Sequence, residues 1–340
     1  MANHLYGRVL MLLLPVATGG SSKALVSGLH ANGLLEVRLG SAFASWDERQ
    51  LEKLERTLDC ADASAILLLT TSTEASDPCP AAPSRSLAIR EHGMHAFLAE
   101  AARNLPVLAL SNGPLSCAPA TSLFMTVPTR VCTGRTTLAL PECRLGRGPR
   151  SGTLSFLRRE LAPHMALFTA LTGVRLNSHD CIGLGLATHF VCTDSVLALL
   201  DEMRCAPAGY LDVPLARRAT PPPDSLASLF ATDVHELLDE ALRRAFGDRA
   251  SSVADVRKLL DEERERVGDM LRSCGWRTRE RAEAVADVLD AAALALKRSS
   301  PHATQATFNA IRLCWRDGFS DYDTRELELS LQTELGGDGL

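Results

Sequence analysis

The stretch Leu171–Val191, which reads LTGVRLNSHDCIGLGLATHFV, is the most informative part of the sequence for the fold. An apolar helix is predicted to end at Thr172-Gly173, because a glycine in the left-handed conformation commonly closes a helix. Asn177-Ser178 predicts the start of a second, short helix, and the glycines after it lead into an extended segment at 187–191. We assign no nucleophile to this stretch. It predicts a helix–turn–strand frame rather than a site of chemistry.

Composition indicates an ordinary globular protein. The 340 residues are 46% hydrophobic and 23% charged, with a formal net charge of −5. This acidic balance gives no electrostatic reason to expect a nucleic-acid partner. The ten cysteines are scattered singly and contain no C-x-x-C pair. They therefore predict reduced, mostly buried thiols and a reducing compartment, rather than a disulfide framework or a zinc site.

The N-terminal segment has the composition of a targeting sequence. The first 35 residues contain no Asp or Glu, and Arg8 and Lys23 are their only Arg or Lys residues. Residues 1–22 are therefore predicted to be a mitochondrial presequence or, alternatively, a docking arm; a secretory signal disagrees with the cysteine usage. The longest apolar run, Val9–Ala17, is interrupted by Pro15, so no membrane span is predicted.

Alternating strand and helix patterns predict an α/β core over 23–210. Asn32-Gly33 predicts a hairpin turn between two short strands, and Leu51, Leu54 and Leu58 form the buried stripe of a helix. Further predicted elements are strands at 65–70 and 105–110 and helices at 87–102 and 155–171. The order fits a spiral or doubly wound α/β domain.

The region 211–340 is predicted to be helical. Pro221, Pro222 and Pro223 form a break that no helix can cross. Beyond it, the apolar periodicity predicts helices at 226–246, 253–272, 278–297 and 304–331.

Two segments together carry a family resemblance. One is the opening stretch, with its LTG, basic residue, polar turn and ATHFV. The other is Leu140–Gly152, which is similar to M-P-E-x-x-x-G-x-x-P-D-x-G-G. These resemble the enoyl-CoA hydratase (crotonase) superfamily, in particular its 3-hydroxyisobutyryl-CoA hydrolase branch. The resemblance implies a crotonase-like spiral core of ββα repeats with a helical C-terminal section.

The resemblance also implies two catalytic requirements. Crotonase-type hydrolases need an oxyanion hole made of two backbone N–H groups, and a pair of acids that activate water and transfer protons. The first N–H lies in a loop where the family has A-G-G-D after a cysteine. Here Cys79 is followed by Pro80, Ala81, Ala82 and Pro83. The two prolines lack amide donors, so a degenerate loop is predicted.

The second oxyanion loop is altered as well. It resembles D-G-x-x-x-G-G-G, and Gly113 keeps the first glycine. The three later glycines are replaced by Cys117, Ala118 and Pro119. A proline is tolerated in a first helical turn, so the helix is expected to remain while the donor geometry is lost.

The pair of acids is reduced to one. Glu142 falls on the first family acid, and Arg150 falls on the second, where a permanent cation replaces the carboxylate. We interpret Glu142 as a vestigial acid, with a Glu142–Arg150 ion pair as an option. Loss of both loops and one acid favours a crotonase-fold pseudoenzyme.

The predicted role is that of a structural or assembly subunit of a large mitochondrial complex, the mitochondrial ribosome first. Its partners would be protein subunits, with Arg144, Arg147, Arg158 and Arg159 as candidate rRNA contacts. Two alternatives stay open: an active acyl-CoA hydrolase, hydratase or isomerase using Glu142, and a CoA-binding regulatory module. No cofactor and no metal are expected, since His92 and His95 lack partnered ligand spacing.

Overall fold

The computed structural model describes residues 25–39, 48–59, 63–70, 85–116, 120–223, 232–273, 275–316 and 319–336. The strands are β1 (Leu25–Leu29), β2 (Leu34–Leu39), β3 (Ala65–Thr70), β4 (Val107–Ser111), β5 (Pro114–Ser116), β6 (Thr129–Cys132), β7 (Thr137–Ala139), β8 (Leu176–Asn177) and β9 (His189–Phe190). The helices are α1 (Glu48–Asp59), α2 (Arg85–Asn104), α3 (Ala120–Thr126), α4 (Thr153–Glu160), α5 (Pro163–Thr172), α6 (Ser178–Gly183), α7 (Val196–Cys205), α8 (Asp212–Arg218), α9 (Thr232–Phe246), α10 (Val253–Ser273), α11 (Trp276–Arg298), α12 (Pro301–Cys314) and α13 (Asp321–Gly336).

A six-stranded sheet in the order β1-β2-β3-β4-β6-β9 forms the centre of the core. β1 and β2 pair antiparallel through the turn at Asn32-Gly33, and the remaining pairs are parallel. All six residues of β3 are buried, as the unbroken apolar run predicts for a strand covered on both faces. The predicted hairpin and the predicted strand at 65–70 are therefore confirmed.

The two faces of this sheet pack against different helices. Ile66 and Leu68 face a large apolar cluster that also contains residues of α1, α2, α5 and the C-terminal helices. Ala65, Leu67 and Leu69 face a smaller cluster with residues of α7 and α8. These two helices occupy 196–218, where no element was predicted. A second sheet, in the order β5-β7-β8, accompanies the main one.

The opening stretch folds as its residues predict. α5 ends at Thr172, and Gly173 follows in the left-handed conformation (φ 61°), with its N–H donating to the Thr169 carbonyl. Asn177 and Asp180 form a capping box that starts α6. The segment 187–191 is extended and contributes β9.

Two of the predicted helices are wrong as single elements. The predicted helix at 155–171 is divided into α4 and α5, because Pro163 takes the first-turn position of α5 and the residue before a proline is extended. The predicted helix at 304–331 is divided into α12 and α13. A capping box starts α13, with the Ser320 hydroxyl 3.3 Å from the Asp323 N–H and the Asp323 carboxylate 2.8 Å from the Ser320 N–H.

The other C-terminal predictions hold to within a few residues. α10 and α11 match the predicted spans closely, and α9 begins at Thr232 after a segment, 224–231, outside the described residues. None of the described helices has the length and hydropathy needed to cross a membrane.

Candidate functional site

Glu142 lies at the start of a short 3₁₀ turn, Glu142–Leu145, directly after Pro141. Glu142 is buried, with 3% of its surface exposed to solvent. Gly173 of the opening stretch packs against this point, since a Cβ at Gly173 would lie 3.1 Å from both the Leu140 carbonyl oxygen and the Pro141 Cα. The turn that carries Glu142 is therefore held by the segment that carries the family resemblance.

A small cavity of about 10 Å³ adjoins Glu142. It is lined by Leu140, Glu142, Cys143, Pro149, Thr153, Ala170 and Thr307. A volume near 10 Å³ is about the space that one water molecule needs. The described residues around this cavity leave room for about one water molecule.

Cys143, next to Glu142, is not an activated nucleophile. Its thiol donates to the Thr307 hydroxyl oxygen at 3.3 Å, and burial raises the pKa of Cys143 to about 12. The thiol is therefore protonated at neutral pH, and only a thiolate is a strong nucleophile. Among the other described cysteines, Cys132, Cys181 and Cys314 are buried free thiols, and Cys192 and Cys205 are exposed free thiols.

Arg150 is buried in an ion pair with Glu91 of α2. Its Nη1 lies 3.5 Å from Glu91 Oε1, and the two side chains are 2% and 1% exposed. The Ser151 hydroxyl also donates to the Glu91 carboxylate. Burial raises the pKa of Glu91, against the opposing effects of the Arg150 charge and the Ser151 hydrogen bond. The position where the resemblance predicts a second acid is thus a buried contact in which Glu91 accepts from Ser151 and pairs with Arg150.

The backbone at this contact is unusual. Ser151 has φ 57°, and it is the single non-glycine residue with positive φ among those described. Gly152 follows with φ 83° and precedes the first turn of α4. Two successive left-handed residues turn the chain sharply into the helix, which brings the Ser151 hydroxyl to Glu91.

Glu328 of α13 completes this buried polar cluster. Its side chain is 0% exposed. Its carboxylate accepts from the N–H groups of Gly152 and Leu154 at 2.8 and 2.6 Å, and it lies 3.2 Å from His92 Nε2. The C-terminal helix therefore contacts the segment that carries Arg150.

His92 and His95 are part of the same interior and hold no metal-ligand arrangement. The His95 Nδ1 atom is hydrogen-bonded to the Thr126 hydroxyl at 2.7 Å. Burial, with a smaller contribution from His92, lowers the pKa of His95 to about 3. Within the ranges that the structure describes, no three His, Cys, Asp or Glu side chains converge as metal ligands would.

Glu91, Ser151 and Glu328 were not singled out by sequence. The helical spacing could have singled out the two acids, because each lies on the buried face of its helix. Glu91 shares that face with Ala88 and Leu98, and Glu328 shares it with Thr324 and Leu331. A carboxylate at such a position requires a buried partner.

The candidate oxyanion loops are described only in part. Pro80, Ala81, Ala82, Pro83, Cys117, Ala118 and Pro119 lie outside the described residues. Gly113 lies in the turn between β4 and β5, where its carbonyl accepts from the Ser111 hydroxyl at 3.0 Å. α3 begins at Ala120, so the predicted helix after this loop is present, while the loss of donor geometry stays a prediction.

The arginines proposed as docking contacts have different environments. Arg144 is exposed, while Arg147 and Arg158 are half-buried. Arg159 is exposed but pairs with Glu160 at 2.7 Å and donates to the Met125 carbonyl. RNA contact through these side chains stays a prediction.

Known structures and sequences identify the fold. A crystal structure of an enoyl-CoA hydratase from Rhodobacter sphaeroides 2.4.1 matches with a TM-score of 0.66 and 16% identity, over 93% of this chain and 86% of that chain. A carnitinyl-CoA dehydratase from Mycobacterium thermoresistibile matches with a TM-score of 0.64 and 18% identity, over 92% and 86%. The predicted crotonase-like fold is confirmed.

Curated relatives match over shorter lengths. The mitochondrial 3-hydroxyisobutyryl-CoA hydrolase of Danio rerio is 29% identical over 241 residues, which are 68% of this chain and 54% of that protein. The small ribosomal subunit protein mS47 of Arabidopsis thaliana is 41% identical over 73 residues, which are 22% of this chain and 17% of that protein. The chain thus spans about half or less of the length of these relatives.

A family model decides the assignment, because it matches well over half of the chain. The model described as enoyl-CoA hydratase/isomerase covers residues 69–338, from β3 to the end of the helical C-terminal region. On this basis the chain belongs to the enoyl-CoA hydratase/isomerase family.

Proposed function

We propose that this protein is a catalytically degenerate member of its family that acts as a structural or assembly subunit of a large mitochondrial complex. The observation that carries the proposal is the buried Arg150–Glu91 pair. The resemblance predicts a proton-transferring carboxylate at position 150. An arginine stays protonated at any physiological pH, so it can neither accept nor relay that proton.

The surroundings of Arg150 support this reading further. Glu91 could act as a substitute acid only if it could reach a substrate, and its carboxylate is engaged by Arg150 and Ser151 in the interior. The fold is retained although the predicted second acid is replaced by a paired arginine. This combination favours a role in which the protein surface binds partners.

The mitochondrial ribosome is our first candidate for the complex. Support comes from the partial similarity to mS47, a small ribosomal subunit protein, and from the mitochondrial hydrolase relative. The presequence-like composition of 1–22 agrees with that compartment. Protein neighbours are favoured over extensive RNA contact, since the net charge is −5.

A second candidate is an active acyl-CoA hydrolase, hydratase or isomerase that uses Glu142 as its base. It is favoured by one observation: the water-sized cavity adjoins the Glu142 side chain, where a water could be activated. Such an enzyme would still need two backbone donors for the developing oxyanion.

The test combines turnover with co-sedimentation. Purified full-length protein is assayed with 3-hydroxyisobutyryl-CoA and crotonyl-CoA, beside the Glu142→Gln variant. A tagged copy is followed through gradient sedimentation of mitochondrial extract. We expect no turnover and sedimentation with a large particle. Turnover that Glu142→Gln abolishes would overturn the proposal in favour of the enzyme, and migration as a free small protein would overturn the assembly role.

A further inference from the structure

The C-terminal end of α11 carries a concentration of positive charge. Lys297 and Arg298 belong to its last turn, and both residues are exposed. Arg257 of α10 is exposed as well, and its Nη2 atom donates to the Leu296 carbonyl at 3.0 Å. This hydrogen bond holds a third cation beside the same helix end.

A fourth cation lies on the turn that begins with Glu142. The Ser300 N–H, directly beyond α11 and Ser299, donates to the Cys143 carbonyl of that turn at 3.1 Å. Arg144 follows Cys143 and is exposed. The contact therefore places Arg144 next to the end of α11. We call these four cations the basic patch, which consists of Arg144, Arg257, Lys297 and Arg298.

The charge of the basic patch is not balanced by the acids close to it in the chain. Glu142 is buried, and the Asp255 carboxylate accepts from the Ser251 N–H at 2.9 Å. In the ranges that the structure describes, no member of the patch forms an ion pair. The carbonyl end of a helix contributes about half a negative charge, which offsets only a small part of four positive charges.

Exposed leucines accompany the basic patch. Leu145 directly follows Arg144 and is 45% exposed, and Leu294 is 46% exposed. Leu294 precedes Lys297 and Arg298 by about one helical turn, so all three lie on one face of α11. Arginines around apolar side chains are typical of protein–protein interfaces. A surface that binds only phosphate groups needs no exposed leucine.

The net charge favours a short acidic partner over a large polyanion. The whole chain carries a formal charge of −5, so a membrane or an RNA helix that covers a wide area also meets acidic surface. Charges more than about 8 Å apart are largely screened at physiological ionic strength. A short acidic segment therefore interacts with the basic patch alone.

We propose that the basic patch, together with Leu145 and Leu294, binds an acidic protein segment whose carboxylates are interspersed with apolar side chains. The guanidinium groups pair with the carboxylates, since their planar fork matches the two carboxylate oxygens. The leucines contact the apolar side chains of the segment. This inference rests on the proposed assembly role and adds to it the surface and the chemical class of the partner.

Fluorescence anisotropy with the full-length protein tests the surface directly. The probe is a fluorescein-labelled peptide of repeated Glu-Glu-Leu units, at low ionic strength. Arg144→Gln/Arg298→Gln should bind it about fivefold more weakly than wild type, because two exposed charge pairs are lost. No binding by wild type, or wild-type affinity in this double variant, would overturn the proposal.

The matched control removes the same charge at a distance from the patch. Arg272→Gln/Arg279→Gln alters two exposed arginines that pair with Asp269 and Glu283. This variant should bind the peptide as wild type does. An equal loss of affinity in both double variants would overturn the patch, since the effect would then come from net charge alone.

The apolar part of the surface has its own test. Leu294→Ser should weaken binding of the Glu-Glu-Leu peptide and leave binding of an all-glutamate peptide unchanged. A uridine oligonucleotide and phosphatidylglycerol vesicles are the competing probes. Tighter, patch-dependent binding of either one than of the peptide would overturn the proposed class of partner.

Sedimentation distinguishes this inference from the assembly role. In mitochondrial extract, wild type and the control variant should sediment with a large particle, and Arg144→Gln/Arg298→Gln should shift toward the free protein. Sedimentation of both double variants with the particle would overturn the role of the patch and leave the assembly role standing. Free wild type would overturn the assembly role, while the peptide assay decides the surface by itself.

Discussion

The guanidinium Nη1 of Arg150 lies 3.5 Å from the Oε1 atom of Glu91, with both side chains at most 2% exposed. This pair joins α2 to the turn that precedes α4. It places a structural cation where the family resemblance predicts a catalytic carboxylate. The Ser151 hydroxyl also donates to the Glu91 carboxylate, and the Glu328 carboxylate accepts from the Gly152 N–H of the same turn.

Breaking the Arg150–Glu91 pair should destabilise the protein more than removing both of its charges. Arg150→Met leaves a buried carboxylate without its cation, which costs about 3–5 kcal/mol of unfolding free energy in comparable pairs. The double variant Arg150→Met/Glu91→Gln should be more stable than the sum of the single effects by about 1–3 kcal/mol. Urea unfolding of wild type, the two single variants and the double variant measures this coupling. Additive changes in unfolding free energy would contradict a direct pair.

Gly173→Ala should be destabilising although it adds only a methyl group. The residue has φ 61°, and a Cβ would meet backbone atoms of Leu140 and Pro141 at 3.1 Å. We expect a loss of about 1–3 kcal/mol, since strain at such positions has that size. Gly183→Ala is the matched control, because no atom lies within 4 Å of a Cβ at that position. Thermal unfolding should show a lower Tm for the first variant only.

His95 should make the protein less stable as the pH falls. Its folded-state pKa is lowered to about 3 by burial, while the unfolded chain has the ordinary value of 6.5. The unfolded state therefore binds a proton that the folded state excludes, and this contribution is complete above pH 6.5 and declines toward pH 3. One such proton changes the unfolding free energy by at most about 1.4 kcal/mol per pH unit.

The His95→Asn variant isolates this effect. Its unfolding free energy should depend less steeply on pH than that of wild type between pH 6.5 and 3. NMR titration of wild type should find the His95 imidazole neutral at pH 5. A protonated ring at that pH would contradict the assignment.

Glu36 should contribute stability that is lost in acid. Its carboxylate accepts from Arg38 Nε at 2.6 Å and from Arg204 Nε at 2.9 Å. Burial raises the pKa of Glu36, but the hydrogen bonds and charges of Arg204 and Arg38 outweigh it and lower the pKa to about 2. The contribution is present above pH 4.5, the ordinary value, and is lost as the pH falls toward 2.

A series of denaturant curves from pH 6 to pH 2.5 measures the Glu36 effect. Wild type should lose on the order of 3 kcal/mol more than Glu36→Gln over this range. Glu52→Gln removes an exposed pair with Arg56 in α1 and should behave like wild type, because exposed pairs contribute little. Parallel curves for wild type and Glu36→Gln would contradict the prediction.

Much of the local structure could be predicted from sequence. Asn32-Gly33 marked the hairpin, the apolar run 65–70 marked a buried strand, and Gly173 with Asn177 marked the end of α5 and the start of α6. Each of these signals acts between residues that are close in the chain, through φ preferences and capping hydrogen bonds. The two helix breaks were missed because apolar periodicity continues across them, while Pro163 and the Ser320–Asp323 capping box carried the opposing signal.

The candidate site could be predicted only in part. Glu142 and Arg150 were singled out because the spacing of a local motif is preserved around them, and their place in a catalytic site stays a prediction. Glu91, Ser151 and Glu328 were missed, since their importance comes from contacts among α2, the turn before α4, and α13.

The sequence by itself determined the family and much of the strand and helix order, and it predicts that Arg150 stands where the family has an acid. Only the tertiary structure decided that Arg150 pairs with Glu91, that Glu328 caps α4, and that a small cavity adjoins Glu142. The physical reason is that capping, turns and periodicity are short-range effects recorded in neighbouring residues. The burial and pairing of charges, in contrast, depend on which distant segments the packed core brings together.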